Sequence, residues 1–96
     1  MRRDDVLRIL REDKTGLDQF GVASLAVFGS VARDEAGPES DVDILVEFAG
    51  AATFDRYMGL KIYLEDLLGS PIDLATPRAL KPRVRPVIEH EAIYVA

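Results

Sequence analysis

Ninety-six residues with an apolar fraction of 48 % and a charged fraction of 30 % fit one small globular domain, expected over 1–96, with room for a single core. No apolar run approaches the roughly 18 residues of a membrane-spanning helix, and the opening MRRDDVLRIL lacks a secretory apolar core, so a cytoplasmic chain with no membrane partner is expected. A formal net charge of -5 disfavours direct nucleic-acid binding, which draws its affinity from cationic contacts to phosphates, and the absence of cysteine excludes disulfide and thiolate chemistry.

In chain order, residues 4 to about 20 read as a helix. Asp4 is placed to cap it, and Val6, Leu7, Leu10, Leu17 and Phe20 recur at helical spacing. The run Asp13-Lys14-Thr15-Gly16 weakens this apolar stripe, so a broken helix is expected there. Ser24 to Phe28 is a buried strand, Ser30 to Asp34 a single helical turn, and Ala36-Gly37-Pro38-Glu39 a loop with turn chemistry. Asp41 to Phe48 reads as a second strand, its carboxylates at the start and its apolar residues beyond.

Gly50 to Thr53 forms a loop, and Thr53 can cap a helix from Phe54 to Leu68 that stops at Gly69. Tyr57, Leu60, Leu64, Leu67 and Leu68 make one stripe on that helix, with Asp55, Gly59 and Asp66 opposite. Such a stripe packs a core. Pro71 to Ala75 is a short third strand, Thr76-Pro77 a capped turn, and a helix beginning near Arg83 tolerates Pro86 in its first turn. It ends near His90 or Glu91, before an edge strand over Ala92 to Val95. Arg78, Lys81, Arg83 and Arg85 form a basic segment, either a solvated face or a contact for a partner or a phosphate.

The chemistry concentrates between Phe28 and Phe48, where Gly29-Ser30 is followed by ten residues and then Asp41-Val42-Asp43. Alternate side chains of an extended segment share a face, so Asp41 and Asp43 point the same way and suit a hard cation such as Mg2+. Gly29 allows a turn and a close phosphate approach, and Ser30 offers a hydroxyl and an amide. Arg33, one turn on, is within reach of a triphosphate. Each feature alone has a plain reading: Asp41 as a turn cap, Arg33 as an exposed helix residue, the lone His90 as a surface or packing residue.

Asp73 sharpens the conjunction. A carboxylate between Ile72 and Leu74 in a short strand needs a partner or solvent. Pairing of this strand beside the second one brings Asp73 to Asp41 and Asp43. Three clustered carboxylates repel one another unless cations neutralise them, and two metal ions suit an in-line displacement at phosphorus.

The spacing GSx10DxD resembles the nucleotidyltransferase superfamily that includes DNA polymerase β. With GSVAR, SDVDILVEF and the later IDLAT, the chain is similar to its minimal nucleotidyltransferase branch over nearly its whole length. The resemblance implies an α/β fold, with a small mixed sheet and helices packed on it. It implies that Gly29 and Ser30 bind the nucleotide triphosphate, that Asp41 and Asp43 ligate magnesium, and that Asp73 is the third carboxylate of the site, helping to activate the nucleophile. Larger members carry a helical domain for the acceptor, which is not expected here, so a partner is expected to bring the hydroxyl. Minimal members are commonly antitoxins of HEPN-type RNase toxins, some transferring AMP from ATP to a toxin tyrosine. A non-catalytic antitoxin acting by complex formation and a small-molecule nucleotidyltransferase are the alternatives.

Overall fold

The computed structural model describes residues 2–37 and 40–96; the loop reading at Pro38 and Glu39 lies outside them. The chain begins with α1 (Arg3–Glu12), whose buried Val6, Leu7 and Leu10 form its inner stripe and whose Asp4 and Asp5 occupy the first turn. Acidic groups there favour the helix through its dipole. Asp4 is not the cap, however: Arg2 takes that position and contributes no side-chain bond. The expected break falls at Asp13, which separates α1 from α2 (Lys14–Asp18). Its carboxylate accepts a 2.5 Å hydrogen bond from the Tyr63 hydroxyl, so the break is fastened to a distant helix.

Four strands make one sheet in the order β3-β2-β1-β4. The strands are β1 (Val22–Phe28), β2 (Val42–Phe48), β3 (Ile72–Ala75) and β4 (Ile93–Tyr94). β1 runs antiparallel to both β2 and β4, whereas β2 and β3 are parallel. The sheet is mixed because α4 (Phe54–Leu68) carries the chain back between β2 and β3, as a parallel pair requires. α4 starts at Thr53, whose hydroxyl accepts from the Arg56 amide at 3.2 Å. It ends at Gly69, which takes the left-handed φ of 66° that a side chain would resist.

Side chains alternate across the sheet. Leu25 and Val27 of β1, Val42, Ile44 and Val46 of β2, and Ile72 and Leu74 of β3 join Leu60, Leu64 and Leu68 of α4 and Val6 and Leu10 of α1 in one buried cluster. The Tyr57 hydroxyl donates to the Leu74 carbonyl at 2.5 Å and pins α4 to β3. Gly59, expected opposite the apolar stripe, lies against the Phe20 ring.

The other face carries Asp43, Leu45 and Glu47, because β2 places successive residues on opposite sides. A 3-10 turn (Pro77–Ala79) and α5 (Arg85–Glu91) follow β3. Thr76 stands at the N-cap and Pro77 at the first position of that turn, as expected, although the Thr76 side chain makes no capping bond. Pro86 sits in the first turn of α5, where no amide is missed. α5 contacts β1 and the short helix α3 (Gly29–Ala32), which brings the end of the chain to the residues of interest.

Candidate functional site

β1 delivers the chain to Phe28, which faces Asp43 across the antiparallel ladder. The next residue, Gly29, is buried and has φ +70°. A Cβ built there would run into Asp43 Oδ2 and come within 2.9 Å of its Cγ. Backbone conformation and space both demand glycine, so the bend and the second aspartate of the DVD run are packed as one unit. Ser30 is half-buried, and Asp34, at the end of the bend, adopts φ 59°. The helical turn therefore closes at Ala32, with the chain leaving through a left-handed residue.

Asp43 and Asp73 are register partners of the parallel pair β2 and β3. Facing positions in a ladder share a side of the sheet, so the Asp73 carboxyl lies beside that of Asp43. Burial, the charge and hydrogen bond of Asp73, and the charge of Asp41 together push the Asp43 carboxyl up to about 6, with Arg33 opposing them. Asp41 precedes the first residue of β2 and is exposed. It acts on Asp43 as a like charge, and among the described residues no group of three His, Cys, Asp or Glu side chains is gathered closely enough to hold a metal ion. The structure thus assembles a pair with an electrostatic neighbour, in place of the tight triad expected.

The donor chemistry still fits magnesium. Oxygen ligands are what this ion prefers, and it readily completes its shell with water and phosphate. Burial first, and then the charges of Asp73 and Asp41, raise the proton affinity of Asp43, and a divalent cation would relieve the charge repulsion. Asp43 and Asp73 are the pair that would hold the ion, with Asp41 as a neighbouring charge.

Arg33 is held by two carboxylates. Its Nε donates to Glu35 at 3.1 Å, and its Nη1 donates to both oxygens of Glu91 at 3.2 and 3.1 Å. These acceptors raise the already high proton affinity of the guanidinium. Glu91 also accepts the Gly29 amide at 3.0 Å. Sequence reasoning missed Glu91. A signal was present, since an acidic residue ending α5 sits at the unfavourable end of the helix dipole and calls for a partner.

Arg78, Lys81, Arg83 and Arg85 are all exposed. Arg78 and Arg85 help line a cleft of about 460 Å³ with Glu47, Phe48, Thr76 and Pro77, toward the far ends of β2 and β3. That groove brings no carboxylates together comparable to Asp43 and Asp73, so the chemistry is placed at the aspartates.

A profile described as nucleotidyltransferase domain matches residues 4–95. The chain belongs to the nucleotidyltransferase domain family. It falls in the minimal branch: protein adenylyltransferase MntA of Thermococcus cleftensis is 39 % identical over 93 residues, covering 96 % of this chain and 94 % of the relative. A solved structure of a provisionally named minimal nucleotidyltransferase is 40 % identical, with a TM-score of 0.83 over 97 % of this chain and 95 % of that one. The fold is also that of the antitoxin-containing complex described as tri-AMPylated Shewanella oneidensis HEPN toxin with MNT antitoxin, at a TM-score of 0.67 and 17 % identity over 94 % of this chain and 71 % of that one. In this minimal nucleotidyltransferase, the mixed sheet and its flanking helices accordingly agree with the α/β expectation. No described helix is long and apolar enough to cross a membrane.

Proposed function

We propose that this minimal nucleotidyltransferase transfers AMP from ATP, with Mg2+, to a hydroxyl of a partner protein. The partner is a HEPN-type RNase toxin, the acceptor a tyrosine, and the consequence neutralisation of the toxin. The observation that carries the reading is the pairing of Asp43 with Asp73 beside the bend at Gly29. The adenylyltransferase name of the Thermococcus relative supports the reaction, and the AMPylated HEPN toxin in the Shewanella complex supports the partner.

In this reaction the acceptor oxygen attacks the α-phosphorus of ATP. A new oxygen–phosphorus bond forms as the bond from that phosphorus to the bridging oxygen breaks, and pyrophosphate leaves. Asp73, exposed on the edge strand β3, is open to an incoming protein and takes the hydroxyl proton as general base. Gly29, Ser30 and Arg33 receive the triphosphate. Bound magnesium supplies charge neutralisation for phosphates and carboxylates.

Incubation with the cognate HEPN protein, ATP labelled on the α-phosphate and magnesium tests this directly. Label is expected on a tyrosine of the partner at substoichiometric amounts of this chain. Protection of the toxin only at equimolar ratio, with no label transferred, would replace the catalytic reading by a steric one.

A further inference from the structure

Two donors of one bend, the Gly29 amide and the Arg33 guanidinium, meet at a carboxylate from the far end of the chain. Glu91, at the end of α5, accepts the Gly29 amide and both of its oxygens engage Nη1 of Arg33, while Glu35 holds Nε. The Glu91 side chain is only 23 % exposed, against 46 % for Arg33 and 65 % for Glu35. Glu91 is therefore the half-buried anchor of this network and Glu35 its outer brace. Among the described residues, Nη2 of Arg33 and the Ser30 hydroxyl make no hydrogen bond.

We propose that Glu91 is a positioning residue for nucleotide binding, tying the Gly29-Ser30 bend to Arg33 so that the open Nη2 edge and the Ser30 hydroxyl are presented together to a polyphosphate. The inference rests on the nucleotidyltransferase reading above. A free arginine carries several rotatable bonds, and fixing it on arrival of a ligand consumes binding free energy. Here two carboxylates grip two edges of a planar, five-donor group and fix the direction of the third. The same carboxylate occupies the Gly29 amide, so the bend and the guanidinium move as one body. β4 follows Glu91 within two residues and is hydrogen-bonded to β1, so the anchor is fixed to the sheet and does not drift with solvent.

Binding of the ATP analogue AMP-PNP with magnesium to the full chain, without acceptor, tests the proposal by calorimetry. Glu91→Ala is expected to weaken binding about tenfold, the scale of one charge-assisted hydrogen bond network lost. Glu91→Gln, which keeps an acceptor for the Gly29 amide but loses the charge, should fall between wild type and Glu91→Ala and also serves if the alanine variant fails to fold. Because Glu91 acts in part through Arg33, the loss in the double variant Glu91→Ala/Arg33→Ala should be smaller than the sum of the two single losses, a coupling that general loosening of the fold would not produce. In the transfer reaction the loss should appear in the KM for ATP with kcat held. Wild-type affinity in Glu91→Ala and Glu91→Gln, tighter binding in either, or additive losses in the double variant would overturn the role of Glu91 while leaving the nucleotidyltransferase reading intact. Failure of the wild-type chain to bind AMP-PNP would instead overturn that reading, and the inference with it.

Discussion

Asp43 and Asp73 stand at paired positions of two parallel strands that α4 separates in the chain. The pairing couples the fold to the site, because any slip of one residue in this register would turn Asp73 to the face occupied by Val42 and Ile44. Packing of Ile72 and Leu74 in the core fixes that register, each being 4 % exposed.

The penalty of burying the Asp43 carboxyl beside Asp73 has a definite sign. The Asp43 carboxyl rises from an ordinary 3.8 to about 6 in the folded protein, so the native state holds this proton more tightly than the unfolded chain does. The associated stability is fully present below about pH 4 and is lost as pH climbs through about 6. Asp43 is half open to solvent, which screens the effect to roughly 1 kcal/mol. Denaturant titrations from about pH 4 to 7 should show the wild type losing this increment relative to Asp43→Asn, and millimolar magnesium at pH 7 should restore part of it in the wild type alone.

Replacement of Gly29 by alanine should damage both stability and chemistry. The new Cβ meets the Asp43 carboxylate at a φ that alanine resists, at a combined cost of about 1–3 kcal/mol. Thermal melts should show the loss, and transfer activity should fall further than stability explains because Asp43 is pushed from its place.

Core truncation separates the scaffold from the site. Leu64 of α4 is fully buried, and Leu64→Ala should destabilise the fold by about 2–5 kcal/mol through lost burial and a cavity. Urea denaturation measures this. At temperatures where the variant remains folded its KM for ATP should match the wild type, since α4 packs on the sheet face opposite Asp43.

The parts of this architecture legible in the sequence are those set by local chemistry. Thr53 and Gly69 bracket α4 as their side-chain and backbone preferences dictate, and Pro86 marks the start of α5. The alternation of β2 placed Asp43 away from the core, and the isolated charge in β3 called for a neighbour. What was not legible depends on partners far away in the chain. The helix break at Asp13 is fastened by Tyr63, the first cap passes from Asp4 to Arg2, and Asp41 stops short of the strand it was expected to open. Glu91 meets Gly29 across 62 residues of sequence, a contact that only closure of β4 against β1 creates.

Asp73→Asn tests most directly whether this carboxylate serves the reaction and not only the fold. The variant keeps the size of the side chain and removes the base. With the HEPN partner, labelled ATP and magnesium, single-turnover transfer should fall by about 10²-fold or more, while the variant stays folded with a melting temperature at or above that of the wild type, because the like charge beside Asp43 is gone. Transfer within a few-fold of the wild-type rate would contradict the role assigned to the Asp43–Asp73 pair.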